Sequence, residues 1–412
     1  MAPHEKFIEL LRGEAPVLAL APMQDVTDLV FMRVMARYGG PDVYWTEYFR
    51  VHAVSNLEKW ILESITENPT GRPIVAQMIG NDIPSLVRTA KELQQYPIAA
   101  VDLNLGCPAP VVYRKCAGGG LLREPQKIDA ILGALRDAVK IPLTVKTRVG
   151  FDSPAVFDQL LPIFTKHSID LLTVHGRTVA QMYRPGVRYD LIAHAAREMR
   201  CPVLLNGNVH GPEQALTLLA ETSVRGLMIG RGAIRNPWLF QQIRQVRKER
   251  AGMGNISKAP GNESLLPLLH QMEERAGERR NDLVQNAPLL DPLPIRSSWG
   301  EEEKLRVLKS SRTDTPNQPT GAAIRLPTGR DVLNYIRELW DAEITPGIRE
   351  LSQVQRMKKF MNFIGEGVES PEKFLHDIRR VETQADFFRI CESHLDHERT
   401  MTLEPAVATV TS

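Results

Sequence analysis

Val101-Asp102-Leu103-Asn104-Leu105-Gly106-Cys107-Pro108 is an apolar run that breaks off in a turn marked by Gly106 and Pro108. Such a stretch reads as a buried strand delivering an amide, Asn104, and a thiol, Cys107, to its C-terminal end. In α/β enzymes that end of a parallel strand is where reacting groups collect. A thiol there can be a nucleophile, a metal ligand, a proton donor or simply a small buried hydrophobe. The rest of the chain has to discriminate among these.

Similar Val-, Ile- and Leu-rich runs recur on either side, at 17–20, 43–47, 74–78, 100–104, 143–146, 171–175, 203–206 and 226–230. Between them lie segments of helical periodicity, among them 84–95, 125–139 and 212–221, each opening on a proline whose missing N–H costs nothing in a first helical turn. Strand and helix alternate through about 240 residues, the usual span of a closed (β/α)8 barrel. The fold expected is therefore α/β, a TIM (β/α)8 barrel over residues 1–250. An open, doubly wound sheet is the competing arrangement.

Composition bounds the remainder. The chain has 412 residues and is 43% hydrophobic, and a single core seldom grows past roughly 250–300 residues, so a second unit is expected. Residues 251–325 mix Gly, Pro, Ser, Asn and alternating charges and read as an irregular insertion, with one brief helical piece at 265–278. From 326 to 400, Val332, Ile336 and Leu339, then Val354, Met357, Phe360 and Met361, then Phe374, Ile378 and Val381 recur at helical intervals, predicting a smaller all-α domain of three or four helices. Residues 401–412 read as a loose tail.

A formal net charge of +2 does not announce a nucleic-acid binder, so any basic surface has to be local. The four cysteines, Cys107, Cys116, Cys201 and Cys391, form no C-x-x-C pair and have no histidine at zinc-ligand spacing. That argues against a disulfide framework and a metal site, and fits a reducing compartment. No leader-like start and no apolar run of membrane-spanning length is present, so a cytoplasmic protein with no membrane partner is expected, and a monomer.

The other strand ends are polar. After 17–20 comes Ala21-Pro22-Met23-Gln24-Asp25-Val26-Thr27-Asp28, where Pro22 and Met23 suit a flat ring and Thr27 or Asp28 caps the next helix. Gln77 ends the third strand. Lys146 ends the fifth and is expected to face an anion or an electron-rich ring, because lysine is rarely buried without a partner. His175-Gly176-Arg177-Thr178 ends the sixth. Asn206-Gly207-Asn208 and Gly230-Arg231-Gly232-Ala233 are small-residue turns after the seventh and eighth strands, where barrels commonly hold a phosphate. A metal role for Cys107 lacks further ligands, and a nucleophile needs a nearby base that His175 is poorly placed to be. A proton donor needs only a thiol still protonated near neutral pH.

The motifs APMQDVTD, VAQMIG, DLNLGCPAPVVYRKCAGGGLL, TVKTRVG, VHGRT, LLNGNV and MIGRGAI, between about 17 and 243, resemble the barrel of the tRNA-dihydrouridine synthase family. The cysteine motif with its glycine run is the most specific of them. The resemblance implies an FMN-binding barrel followed by a helical domain, and NADPH-dependent reduction of the C5–C6 double bond of uridines in tRNA. By position it implies that Cys107 protonates C5 while reduced flavin delivers hydride to C6, and that Asn104 holds the uracil. Pro22, Met23, Gln24, Gln77, Lys146 and His175 would surround the flavin ring and ribityl chain, with Asn206, Gly207, Asn208, Gly230 and Arg231 at the phosphate. Arg177, Thr178, Gln181, Arg184 and Arg114 are the candidate contacts to substrate or phosphate.

The chain also departs from that pattern. Asn208 stands where relatives often have an acid, and the 251–325 insertion is long for the family. The basic residues of the helical domain, Arg356, Lys358, Lys359, Arg379 and Arg380, are interspersed with acids, as on an ordinary solvated face. Cys116 is the rival thiol, expected to pack ahead of a flexible glycine run. Two other functions compete: an FMN dehydrogenase of a free pyrimidine, which would need no second domain, and an RNA-binding module without redox activity, which would not need Cys107, Lys146 and His175 together.

Overall fold

The computed structural model describes residues 1–68, 70–184, 186–253, 326–344 and 347–405. Its centre is a closed parallel barrel of β1 (Val17–Leu20), β2 (Val43–Trp45), β4 (Ile74–Ile79), β5 (Ala100–Leu105), β6 (Leu143–Arg148), β7 (Leu171–His175), β8 (Val203–Asn206) and β9 (Gly226–Ile229). A two-residue strand, β3 (Phe49–Arg50), lies along the end of β4. Closure is direct: Leu18 pairs with Leu227, Leu20 with Tyr44 and Trp45 with Val75, which excludes the open doubly wound sheet. The expected strands are present with small shifts at their ends. The second stops at Trp45, and the fifth expected strand runs on to Arg148.

Side chains alternate strictly between two environments. Val101, Leu103 and Leu105 on β5 and Val145 on β6 point out to the surrounding helices and join the large outer core. Val17, Ala19, Val43, Trp45, Val75, Ala100, Leu171, Leu204 and Met228 point inward and form a separate core within the barrel. An N-terminal helix, α1 (Pro3–Arg12), plugs this inner core from below with Phe7 and Leu11, and Phe7 meets Trp45 edge-on at 6.3 Å. The same inward alternation continued up the strands reaches Gln77, Asp102, Asn104, Thr144, Lys146, Arg148, Thr173, His175 and Asn206. Polar chemistry at the C-terminal rim is thus a continuation of the barrel's inner face.

The helices that brace the sheet are set by local signals. α2 (Leu29–Arg37) is capped by Asp28, whose carboxylate accepts from the Phe31 N–H, and α4 (Ile83–Leu93) by Asp82 accepting from Ser85. α3 (Lys59–Thr66), α5 (Pro110–Tyr113), α6 (Pro125–Ala138), α7 (Phe157–Lys166), α8 (Tyr189–Glu198), α9 (Pro212–Thr222), α10 (Arg231–Arg235) and α11 (Leu239–Met253) complete the barrel region. The expected helical piece at 265–278 and nearly all of the insertion lie outside the described residues.

The helical unit consists, among the described residues, of α12 (Gly329–Glu343), α13 (Glu350–Ile364), α14 (Pro371–Ile378) and α15 (Gln384–Leu395). It is bolted to the barrel. Phe360 stacks on Phe31 at 5.8 Å, and the Tyr335 hydroxyl donates to the Ile234 carbonyl. Arg235, 1% exposed, donates to the Leu403 carbonyl and to Glu366. That contact corrects the expectation of a loose tail for residues 401–405: Leu403 is buried and Thr400 bridges to Thr328, and the Leu403 carbonyl is one of the acceptors that the buried guanidinium needs. Residues 406–412 lie outside the described residues.

Candidate active site

Asn104 sets the geometry of the cysteine turn. Its carboxamide oxygen accepts the N–H groups of both Gly106 and Cys107 at 2.9 Å, and its Nδ2 donates to Gln77 Oε1 at 2.7 Å. Gln77 in turn donates to Asp102 Oδ2 at 2.7 Å, and the other Asp102 oxygen accepts from Thr144 Oγ1 at 2.5 Å. A chain of buried polar groups therefore runs across β4, β5 and β6 and ends at the turn that carries Cys107. Each of these groups gains a partner inside the barrel, which is the condition for burying it. Asp102 is fully buried and its pKa is pushed up to about 6 by burial, against the lowering effect of Thr144 and Gln77.

From the other side, Arg148 clamps the same turn. Only 3% exposed, it donates from Nε to the Gly106 carbonyl at 2.9 Å and from Nη1 to the carbonyls of Thr178 and Met182 at 2.9 and 2.7 Å. Behind Cys107, the Gly118-Gly119-Gly120 run is buried at the start of a 3-10 segment, Gly118–Arg123, and is not the flexible stretch expected. Gly119 has no room for a side chain: a Cβ there would lie 2.8 Å from the Cys107 carbonyl oxygen and 2.5 Å from Val179. Cys116 sits outside this packing, in a turn at φ +52°.

The Cys107 thiol is partly buried, and burial pushes its pKa up, with the Ala109 N–H, the Tyr48 hydroxyl, Arg148 and Lys146 acting in the opposite direction. Burial, and then the charge of Cys107, pushes the pKa of Tyr48 up. Next to it Glu47 is 2% exposed and accepts the Asp25 N–H at 2.9 Å, which holds the 22–28 loop in place; burial pushes its pKa up to about 8, with Asp28 and Asp25 adding to the rise.

Across the rim, Lys146 Nζ donates to Asn206 Oδ1 at 3.1 Å, and Asn206 Nδ2 to the Met228 carbonyl at 2.8 Å. Burial first, then Arg148, lowers Lys146 to about 8. His175 lies against Gly207, where a Cβ would come within 3.2 Å of its ring. Its pKa falls well below the ordinary value through burial and the charges of Arg148, Arg177, Lys146 and Arg231, so the imidazole is neutral. Asn208, at φ +40°, accepts from Arg177 at 3.3 Å and Arg231 at 3.2 Å. Arg231 lies 4.9 Å over the Tyr183 ring, with Arg148 5.7 Å from the same ring. Met23 packs its sulfur against Gly230, where a Cβ would stand 3.2 Å away.

These contacts bring the expected residues Met23, Gln77, Asn104, Cys107, Lys146, His175, Asn206, Gly207, Asn208, Gly230 and Arg231 to one rim, with Pro22 and Gln24 on the adjoining loop. Several do different work from that expected. Asn104 spends its oxygen on the cysteine turn. Arg177 is 1% exposed and reaches Asn208 and the Arg184 carbonyl; Thr178 and Gln181 bond each other, the Thr178 N–H donating to Gln181 Oε1 and the Gln181 N–H to Thr178 Oγ1. Arg114 and Arg184 are exposed. In the helical unit, Arg356 meets Glu343, Lys358 donates to the Arg379 carbonyl, and Lys359 reaches back to Asp25 at 3.7 Å. Asp102, Arg148, Glu47 and Tyr48 had no assigned part. Period two gives the signal for the first three: Asp102 precedes Asn104 by two, Arg148 follows Lys146 by two and Glu47 follows Trp45 by two. Nothing local marks Tyr48.

The rim fits a flat, anionic cofactor. Four cations surround a neutral His175, with amide and carbonyl acceptors holding Lys146 and Arg148, and Gln24 Oε1 is buried with no partner among the described residues. A phosphate gives the cations a counter-charge, and a ring N–H would satisfy the Gln24 oxygen. The helix after Gly230 has five residues, so Arg231 rather than a long helix axis supplies charge there. Among the described residues no group of three or more His, Cys, Asp or Glu side chains is placed to share a metal ion.

The family model described as dihydrouridine synthase (Dus) matches residues 19–283. A protein of Pseudomonas putida named tRNA-dihydrouridine synthase B is 35% identical over 227 residues, 55% of this chain and 67% of that protein. The protein of the same name from Vibrio parahaemolyticus is 32% identical over 262 residues, covering 63% and 81%. The tRNA-dihydrouridine(16) synthase of Neisseria meningitidis is 33% identical over 236 residues, covering 55% and 71%.

Proposed function

We propose, from the premise that this chain belongs to the dihydrouridine synthase family, that it is a flavin-dependent oxidoreductase that reduces the C5–C6 double bond of uridine in tRNA. FMN is the cofactor and NADPH the reductant in this reading. Its main support is the convergence of one thiol, Cys107, with a cationic rim on a single barrel end. FMN, when bound, supplies the hydride that C6 receives. Lys146 and His175 would hold the ring, and Asn206, Gly207, Asn208, Gly230 and Arg231, backed by Arg177, would hold the phosphate end.

Cys107 then has one task, to deliver a proton to C5. Burial keeps the thiol protonated near neutral pH, as a general acid requires. Asn104 and Arg148 fix the turn from its two sides, so the sulfur is positioned before substrate arrives. The neutral His175 is surrounded by cations and makes a poor base, which weighs against a thiolate nucleophile activated by imidazole. A uridine within folded tRNA has to leave its stack to reach this pocket, and the half-exposed Tyr183 and Met182 on the rim offer apolar surface to it.

The test is a site-by-site map of dihydrouridine in tRNA from cells lacking the protein, with the purified protein checked for flavin absorbance. Loss of dihydrouridine at one or more positions, restored by the wild-type protein, is expected. An unchanged map, or a protein that never takes up flavin, overturns the reading.

A further inference from the structure

Arg231 and Arg235 stand four residues apart on α10, hence on one face of the helix and about 6 Å apart along its axis. Both reach the same loop. Arg231 Nη2 donates to Asn208 Oδ1 at 3.2 Å, and Arg235 Nη2 donates to His210 Nδ1 at 2.9 Å. A guanidinium cannot accept, so Nδ1 does, and the proton of the neutral imidazole sits on Nε2. Between these two rungs α10 packs directly on the loop: a Cβ at Gly232 would collide with the Val209 carbonyl oxygen. The 206–211 loop and α10 therefore form one unit, and it carries Asn206, Gly207, Asn208 and Arg231, with Gly230 at the start of the helix.

The Arg235 rung is buried and extends beyond the barrel. Arg235 is 1% exposed; its Nε donates to the Leu403 carbonyl at 2.6 Å and its Nη1 to Glu366, just after α13, at 3.1 Å. Three segments far apart in the chain thus supply acceptors to one guanidinium fork. Packing leaves them little play. A Cβ at Gly367 would stand 3.0 Å from Leu403 Cα and 3.2 Å from Arg235 Cδ, and one at Gly211 would run into the Glu404 carboxylate. Moving His210 away would leave a buried cation short of an acceptor, which is costly. The loop is held at a fixed spacing from α10 before any ligand arrives.

Resting on the reading of this loop and Arg231 as the flavin phosphate site, we propose that Arg235 is a positioning residue. Through His210 it holds the 206–211 loop against α10 at the spacing a phosphate monoester needs, and through Glu366 and the Leu403 carbonyl it makes that spacing depend on the helical unit. The role is confined to the phosphate end. Lys146 and His175, assigned to the ring, stand on β6 and β7.

The test titrates the full-length chain, stripped of flavin, with FMN and separately with riboflavin, which has the same ring and ribityl chain but no phosphate, and reads flavin fluorescence. Arg235→Lys keeps the charge but not the fork that reaches all three acceptors. It is expected to weaken FMN binding roughly tenfold, as loss of a hydrogen bond involving a charged group does, and to leave riboflavin binding within about twofold of wild type. His210→Ala should act in the same way and decides the matter if Arg235→Lys does not fold. His210→Asn, whose amide oxygen can take the place of Nδ1, should restore FMN binding to within about threefold of wild type. Equal losses for the two flavins, or no change for either, overturn the role of Arg235. A wild-type chain that binds neither flavin overturns the cofactor reading and this proposal with it. Phosphate-selective losses in a chain that forms no dihydrouridine would instead sink the proposed activity and leave the role of Arg235 standing.

Discussion

At the N-terminal end of the barrel the inward side chains are Val17, Val43, Val75, Ala100 and Leu171, sealed by Phe7 and Leu11 of α1. At the C-terminal end the same strands turn inward Gln77, Asp102, Asn104, Lys146, Arg148, His175 and Asn206. Both ends are largely buried, yet they are stabilised differently. The lower end needs only volume and apolar area. At the upper end each polar group needs a partner, which ties the residues into connected chains such as Thr144–Asp102–Gln77–Asn104. A continuous inner face thus separates a part that holds the barrel together from a part that is positioned for chemistry.

The sharpest break in that comparison is Cys107→Ala, expected to lower dihydrouridine formation by roughly 10²–10⁴-fold, the usual worth of a general acid, while the melting temperature stays near wild type. Cys116→Ala should leave formation within about twofold of wild type, since among the described residues its hydrogen bond goes to the Tyr113 carbonyl and not to the rim. Loss of activity in Cys116→Ala with Cys107→Ala intact would exchange the two assignments. The converse experiment is Phe7→Ala at the lower end. It should cost about 3–5 kcal/mol of stability by denaturant titration, with kcat per folded molecule unchanged. A kcat change without destabilisation would mean that the two ends are not separable.

Glu47 tests whether the upper end tolerates charge. Its folded pKa is raised from 4.5 to about 8, so the folded state keeps a proton that the unfolded chain has lost. Stability therefore falls as pH rises between these values and levels off above about 8. Glu47→Gln should flatten that slope and be more stable than wild type above pH 8 by on the order of 1–2 kcal/mol, read from urea midpoints across the range. A wild-type profile that rises over the same interval contradicts the buried, neutral acid. The smallest effect is expected at Lys359, whose pair with Asp25 is solvated on both sides. Lys359→Ala should change stability by less than about 1 kcal/mol in a thermal melt; a larger loss would make this pair a principal tie between the helical unit and the rim.

Much of this was legible along the chain. The eight strand positions follow from Val, Ile and Leu runs between helical segments, because a parallel strand buried on both faces is apolar almost throughout. The rim residues Gln77, Asn104, Lys146, His175 and Asn206 follow from polar side chains interrupting those runs at their C-terminal ends. The return of Leu403 to Arg235 was not legible, since it depends on a contact between segments far apart in the chain. The glycine run after Cys116 was misread for a related reason: Gly-rich sequence is compatible with a flexible loop or with tight packing, and only the closeness of Cys107 and Val179 selects the second.

Sequence by itself determined eight strands alternating with helices, with a thiol and an amide at one strand end and cations at its neighbours, because burial and periodicity are local properties written residue by residue; that the sheet closes was left to the strand pairing. Tertiary structure alone decided how those groups spend their hydrogen bonds. Asn104 shapes the turn under Cys107, Arg148 clamps it and His175 is kept neutral. Hydrogen bonds and charge effects depend on distances between strands, and those distances exist only once the sheet has closed.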